Sequence, residues 1–197
     1  MKKSVLFFIF IAGLTVSLPE AMAAREVLDA NKNKIAIQVP KNWKSYKNLN
    51  GIPISIVSED HAPGNSKTRA EYEAERTVIG IIPGPEDLEK VKFEPKDFEE
   101  DFDDYVKSKK ESISELDGKF ISSEKGKFTE TKNSAGQELQ FFKQGVTYEA
   151  MNSKLNDLTY HLTCDGKYFM VKVIYHDGHR SEDEATVEKV IQEFECL

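Results

Sequence analysis

The sequence lacks the short motifs that mark the most easily recognised enzyme classes. It has no G-x-S-x-G elbow, no P-loop, no G-x-G-x-x-G dinucleotide fingerprint and no H-E-x-x-H zinc motif. Each of these motifs places a nucleophile, a phosphate or a metal through local backbone geometry, so their absence removes the best-marked routes to catalysis. The chain also lacks internal repeats and low-complexity tracts, which excludes a repeat architecture.

No run of residues is long and apolar enough to span a bilayer, which needs about 20 such residues. The uncharged run at residues 5–18 has only 14 residues. It follows Lys2 and Lys3 and precedes Ala21-Met22-Ala23, the small-x-small pattern that signal peptidase recognises. We therefore expect residues 1–23 to be a cleaved bacterial signal peptide. The alternative is a membrane anchor, for which the run is too short.

Basic residues are outnumbered by acidic ones, 27 to 34. Removing residues 1–23 takes away two lysines and one glutamate, which leaves a formal charge of −8. This balance argues against nucleic acid and against docking to anionic lipid, both of which are bound through basic patches. We expect residues 24–197 to form a single soluble domain in the periplasm or outside the cell, with no membrane insertion after cleavage.

Cysteine is scarce, since Cys164 and Cys196 are the only two. Two cysteines in an exported chain favour a disulfide, which would close a loop of about 33 residues and contribute roughly 3–4 kcal/mol. Two free buried thiols and redox chemistry are the alternatives. The redox alternative lacks the C-x-x-C arrangement that tunes a reactive thiolate.

The first half of the chain alternates short strands with one long helix. Apolar runs predict strands at residues 35–39, 52–57 and 77–82. From Pro95, apolar residues recur at helical spacing until Asp117-Gly118, which predicts one long helix.

The second half has the period-two pattern of strands over residues 119–176, with hairpin turns at residues 133–136 and at Asp165-Gly166. A helix over about 181–195, opened by a Ser181/Glu184 capping box, follows. The expected class is α+β, a mainly antiparallel sheet with a long central helix and a C-terminal helix packed on it.

Two histidines are candidate metal ligands. His176 and His179 lie three residues apart with Glu182 and Asp183 close behind, a set of donors that suits zinc. The alternative is a strand-to-helix turn whose acids face the helix N-terminus. His161 lies on the polar phase of its strand and could join such a site from a neighbouring strand.

The polar segment at residues 58–76 is the first place where we expect a binding surface, because long loops often carry function. A histidine beside carboxylates could act as a general base, but nothing in the segment supplies a nucleophile. A flexible surface insertion is the alternative. The candidate binding residues of this segment are Glu59, Asp60, His61, Arg69 and Tyr72.

Two other segments favour structural interpretations. The segment Asp29-Ala30-Asn31-Lys32-Asn33 starts like a calcium loop but has Lys34 and Pro40 where glycine and glutamate are required, which predicts a turn. The acidic run at residues 99–104 is interrupted by Phe102 on the apolar stripe, which predicts a solvated helix face.

The order of elements resembles the Mog1/PsbP-like α/β/α sandwich, including small exported bacterial proteins of the DcrB type. A short strand runs into the Pro-x-x-Trp corner Pro40-Lys41-Asn42-Trp43, and further strands, a long helix, a meander and a C-terminal helix follow. The segment 58–76 departs from that pattern. The resemblance implies a non-enzymatic accessory or binding protein, and it carries over no functional residue. We expect no cofactor.

Three functions remain open from the sequence. The first is a soluble exported accessory protein that binds another protein or a cell-envelope component. The second is a metal-dependent or hydrolytic enzyme that uses His61 or the His176–His179 turn. The third is a self-protection or inhibitor protein whose acidic surface blocks a basic enzyme.

Overall fold

The computed structural model describes residues 25–30, 33–49, 51–58, 77–85, 91–150 and 152–197. All elements named below lie in this part of the chain. In chain order they are β1 (Arg25–Ala30), β2 (Asn33–Gln38), β3 (Trp43–Leu49), β4 (Ile52–Ser58), β5 (Val78–Pro83), α1 (Pro95–Glu115), β6 (Lys119–Lys132), β7 (Glu138–Ala150), β8 (Ser153–Cys164), β9 (Lys167–His176), α2 (Asp177–Gln192) and β10 (Glu195–Cys196).

Seven of these strands form one sheet in the order β3-β4-β5-β9-β8-β7-β6. All neighbouring pairs in it are antiparallel. A second, three-stranded sheet has the order β1-β2-β10, also antiparallel. The predicted α+β class with a mainly antiparallel sheet is confirmed.

The large sheet has an inner and an outer face, which residues of β8 define by alternation. The inner face carries Leu158, Tyr160 and Leu162, each at most 2% exposed. These residues belong to one apolar cluster with Val187, Val190 and Ile191 of α2 and with Ile35 and Ile37 of β2. The inner face is therefore covered by α2 and by the small sheet.

The outer face is covered by α1. Ile113 and Tyr105 of α1 pack with Val146 and Tyr148 of β7 and with Leu155 of β8 in a smaller apolar cluster. Together the elements make three layers, with α1 on one side of the large sheet and α2 and the small sheet on the other.

The two predicted hairpin turns lie where the sequence places them. Asp165 and Gly166 both adopt positive φ angles, 47° and 82°, which a two-residue hairpin turn of type I′ requires. At the other hairpin, the Gly136 amide donates to the Asn133 carbonyl at 3.0 Å. Gly136 has a φ of 80°, which glycine adopts without strain.

The predicted capping box at Ser181 and Glu184 is wrong, because α2 begins earlier, at Asp177 directly after β9. The extra turn is held by Arg180, whose Nη2 donates to both carboxylate oxygens of Glu124 at 2.9 Å. Arg180 also donates to Glu184 at 3.2 Å, which uses the carboxylate that the capping box needed.

The end of the chain is tied to the large sheet by a disulfide and by side-chain amides. Cys164 Sγ and Cys196 Sγ lie 2.08 Å apart, the disulfide that the sequence predicts. Gln137 Nε2 donates to the Cys196 carbonyl at 2.6 Å, and the Cys196 amide donates to Gln137 Oε1 at 3.1 Å. Asn133 Nδ2 donates to the Phe194 carbonyl at 2.7 Å.

We expect reduction of this disulfide to lower the free energy of unfolding by roughly 3–4 kcal/mol, because the unfolded chain regains the entropy of a closed loop. Urea unfolding with and without dithiothreitol measures the effect. The Cys164→Ser/Cys196→Ser variant is the control, since it should unfold at the lowered midpoint with or without reductant. An unchanged wild-type midpoint under reducing conditions contradicts the prediction.

Candidate functional site

The layer between α1 and the outer face is unusually polar for a covered sheet face. Five polar side chains of this face are at most 9% exposed. Buried polar groups cost free energy unless they are hydrogen-bonded, so a layer rich in them is a sign of function rather than of stability. They are Gln140, Gln144, Asp157, Thr159 and Thr163.

A line of hydrogen bonds crosses three strands of this face, with His161 of β8 at its centre. Gln144 Nε2 of β7 lies 3.0 Å from His161 Nε2, and Tyr168 Oη of β9 lies 2.8 Å from His161 Nδ1. The strand register causes this. His161 faces Phe142 and Met170 directly, so Gln144 and Tyr168 are its diagonal neighbours on the same face.

Both ring nitrogens of His161 are therefore engaged within the protein. With the amide in this orientation, Gln144 donates to Nε2, and the proton on Nδ1 is donated to the Tyr168 hydroxyl. Burial lowers the pKa of His161 below its usual value, and the charge of Asp101 on α1 acts in the opposite direction. Burial raises the pKa of Tyr168. The imidazole is held neutral by its surroundings.

Next to this line lies a cavity of about 320 Å³ between α1 and the sheet, here called the α1 cavity. Its walls are largely aromatic. The Phe93 and Phe98 ring centroids are 4.8 Å apart, and Phe93 meets Tyr168 edge to face at 5.6 Å. The nine lining residues in the described part of the chain are Val91, Phe93, Asp97, Phe98, Asp101, Tyr105, Gln144, His161 and Tyr168.

The segment before α1 is fixed by backbone hydrogen bonds that shape one wall. The Val91 amide donates to the Gly166 carbonyl at 2.7 Å, and the Phe93 amide donates to Gln140 Oε1 at 3.1 Å. The Glu94 amide donates to Asp97 Oδ2 at 2.8 Å, which caps the helix. Gly84 leaves room for the Tyr168 ring, since a Cβ there would lie 2.5 Å from Tyr168 Cδ1.

One charged group of the α1 cavity has no partner among the described residues. The exposed carboxylate of Asp101 has no lysine or arginine within ion-pair distance in that part of the chain. Asp97, in contrast, is used by the helix cap. The Tyr105 hydroxyl is buried beside Thr159, which acts on its pKa through a hydrogen bond. The cavity therefore offers one available negative charge.

A second cavity, of about 250 Å³, lies beside α2 and includes Lys143, Tyr160 and Glu188 in its lining. Its Tyr160 hydroxyl is buried without a hydrogen-bond partner in the described residues. Its Lys143 and Glu188 are paired inside the protein, because Lys143 Nζ lies 3.2 Å from Glu184 and 3.4 Å from Glu188, and Lys127 also lines it. The α1 cavity is the better candidate, because the hydrogen-bonded line of Gln144, His161 and Tyr168 forms its wall.

The candidate binding residues of the segment 58–76 lie outside the described residues and stay predictions. They are Glu59, Asp60, His61, Arg69 and Tyr72.

The two candidate metal ligands lie at the junction of β9 and α2, away from the α1 cavity. The ring centroids of His176 and His179 are 6.0 Å apart, and His179 Nδ1 lies 3.8 Å from Glu182 Oε2. No group of three or more histidine, cysteine, aspartate or glutamate side chains in the described ranges is placed to hold a metal ion. Metal binding there stays a prediction that this geometry does not favour.

The sequence singled out His161 but not the residues around it. The available signal was the polar phase of β8, where Asp157, Thr159, His161 and Thr163 alternate with apolar residues. That phase normally indicates a solvated face, and only the position of α1 turns it into a cavity wall.

We expect His161 to make stability fall as the pH drops below about 6.5. Its folded pKa is lowered, so as pH falls through the unfolded value of about 6.5 the unfolded chain takes up the proton first and stability is lost. The slope is limited to about 1.4 kcal/mol per pH unit for one proton. The ion pair with Arg25 lowers the pKa of Glu195. The stability that this ion pair contributes is therefore lost only below about pH 4.3.

Urea unfolding of wild type and of His161→Gln at several pH values measures this contribution as their difference. Glutamine keeps a hydrogen-bonding side chain but does not titrate, so the variant should lose the slope. His176→Gln, which leaves His161 in place, is the matched control. Equal slopes in wild type and His161→Gln contradict the prediction.

No protein-family model and no curated protein sequence matches this chain. Among solved structures, it is similar to LpqN of Mycobacterium tuberculosis, described as involved in cell envelope biogenesis, at 12% identity and a TM-score of 0.48, over 88% of this chain and 91% of LpqN. It is also similar to PA94 of Pseudomonas aeruginosa, of unknown function, at 9% identity and a TM-score of 0.37, over 86% and 95% of the two chains.

The cyanobacterial PsbP (CyanoP) from Synechocystis sp. PCC 6803 superposes with a TM-score of 0.51 at 12% identity. The match covers 93% of this chain and 99% of CyanoP. At this identity the likeness speaks to the fold alone. The resemblance seen in the order of elements is thereby confirmed: this chain has the Mog1/PsbP-like fold.

Proposed function

We propose that this protein is an exported accessory protein that binds a protein or a cell-envelope component through the α1 cavity and carries out no catalysis. The observation that carries the proposal is an open aromatic cavity built into a buried polar layer. Among the described residues, its lining includes no serine, cysteine or lysine to act as a nucleophile. The two ring nitrogens of its histidine are already engaged by Gln144 and Tyr168.

The size of the α1 cavity supports a binding role. Pockets for small molecules usually measure about 300–1,000 Å³, and this one lies at the lower limit. It suits a single side chain or head group better than a cofactor. Binding such a group would leave the His161 hydrogen bonds in place, because they lie within one wall.

Export is supported by the N-terminal sequence pattern and by the cysteine pair. A disulfide persists in oxidising compartments and is rare in the cytosol of most organisms. In the described residues, none of the helices has the length and apolar character needed to cross a membrane.

We expect protein recovered from the exporting cell to begin at Ala24. Mass spectrometry of its N-terminal peptide measures this, because signal peptidase cuts after the small-x-small pattern. The control is the Ala21→Leu/Ala23→Leu variant, whose bulky residues should block cleavage and leave the precursor intact. Recovery of wild-type protein that still carries residues 1–23 contradicts the export part of the proposal.

The binding part is tested by photo-crosslinking in the native cell. An aliphatic diazirine amino acid in place of Val91, which lines the cavity and is half-buried, should give a discrete covalent adduct after illumination. The same amino acid in place of Lys189, exposed on α2 across the sheet, is the matched control and should give none. No adduct from the Val91 position, or the same adduct from both, contradicts the proposal.

A further inference from the structure

We infer that the α1 cavity recognises an organic cation, a guanidinium or ammonium group carried on a short apolar stem. This inference rests on the proposed function and names the chemistry of the group that the cavity takes. It follows from the wall residues, from their charges and from a cation that the protein already holds beside the cavity.

The walls supply the faces and edges of aromatic rings. Phe93, Phe98, Tyr105 and Tyr168 all line the cavity. The negative face of an aromatic ring attracts a cation within about 6 Å of the ring centroid, and the attraction grows when the site is screened from water. Phe93 and Tyr168 meet edge to face with ring centroids 5.6 Å apart, so each ring holds the other in place in the wall.

The charge of the lining is negative. In the part of the chain that the structure describes, the nine lining residues include Asp97 and Asp101 and no lysine or arginine. Asp97 Oδ2 is used by the helix cap, which leaves Asp101 as the carboxylate available to an occupant. Burial lowers the pKa of His161 in the same wall, so its imidazole does not compensate this charge at neutral pH. An anionic occupant would be repelled, and a neutral one would leave Asp101 unpaired.

The protein uses the same recognition chemistry on a cation of its own. Lys109 Nζ lies 5.7 Å from the ring centroid of Tyr105 and 2.5 Å from Asp157 Oδ2, on the same side of the sheet as the cavity. One ammonium is thus held by an aromatic face and a carboxylate together. Asp101 with the rings of Phe93 and Tyr168 repeats that combination in the cavity, where the cation must come from outside.

A titration with matched probes tests the inference. N-acetyl-arginine amide carries the guanidinium group as a protein side chain would, and N-acetyl-citrulline amide has nearly the same shape without the charge. Butylguanidinium carries the same single charge on an alkyl stem without peptide groups. Binding is followed through the NMR signals of the His161 and Tyr168 rings, which line the cavity, and by calorimetry.

We expect the arginine probe to bind at least about tenfold more tightly than the citrulline probe, because a charge-assisted hydrogen bond to Asp101 is lost with the charge. Added salt should weaken its binding. Tighter binding of the arginine probe than of butylguanidinium identifies a protein side chain as the source of the cation, and the reverse identifies a small free cation. Equal binding of the arginine and citrulline probes, or no binding of either, overturns the inference.

Three variants assign the effect to the cavity. Asp101→Asn should weaken binding of the arginine probe by roughly tenfold and leave binding of the citrulline probe unchanged. Phe93→Leu keeps the position apolar and should weaken binding of the arginine probe by about two- to fivefold. Asp104→Asn, an exposed acid of the same helix outside the cavity lining, is the matched control and should change nothing. An unaffected Asp101→Asn variant that retains its circular dichroism spectrum also overturns the inference.

The result can be separated from the proposed function. If the Val91 position gives a specific adduct in the cell while the arginine and citrulline probes bind alike, the cavity is a binding site and the cation is the wrong occupant. If neither the adduct nor any probe binding is found, the proposed function fails together with the inference.

Discussion

The rest of the structure depends on one constraint, the strict alternation of apolar and polar side chains along β8. Successive side chains of a strand point to opposite faces, so Leu158, Tyr160 and Leu162 face one layer while Thr159 and His161 face the other. The strand lies inside the large sheet, between β7 and β9, and both of its faces are covered. One face therefore buries an apolar core, and the other buries a polar layer that must satisfy its own hydrogen bonds.

The inner face holds most of the stabilising contacts, and the chain closes it with specific links. The disulfide, the Gln137 amide and the Asn133 amide fix residues 194–196 to the large sheet. At the other end of α2, Arg180 connects the helix to Glu124 of β6. Because both ends of α2 are anchored in this way, the apolar inner core does not depend on how the outer layer is filled, and the outer layer is free to carry polar groups.

The sequence predicts what depends on local pattern. The α1 helix, the hairpin turns and the apolar phase of β7–β9 follow from periodicity and turn residues. The sequence pattern does not predict strands β1, β3 and β10. Strand β3 is polar and partly exposed. Strand β10 has only two residues and exists through its pairing with β2. The α1 cavity could not be predicted, since it needs Asp101, Gln144 and Tyr168 from three distant segments. Only His161 gave a local sign of it.

The polar layer under α1 is harder to explain by stability than by binding. Replacing buried polar groups by well-packed apolar ones is often neutral or stabilising, so Gln144, His161 and Tyr168 are not needed to hold α1 in place. The apolar contacts of Ile113 and Tyr105 already do so further along the helix. What the polar residues add is a rigid wall, with each ring nitrogen of His161 fixed by a neighbour. A rigid wall beside an unpaired carboxylate lowers the entropic cost of holding an occupant, which is the property a binding site requires.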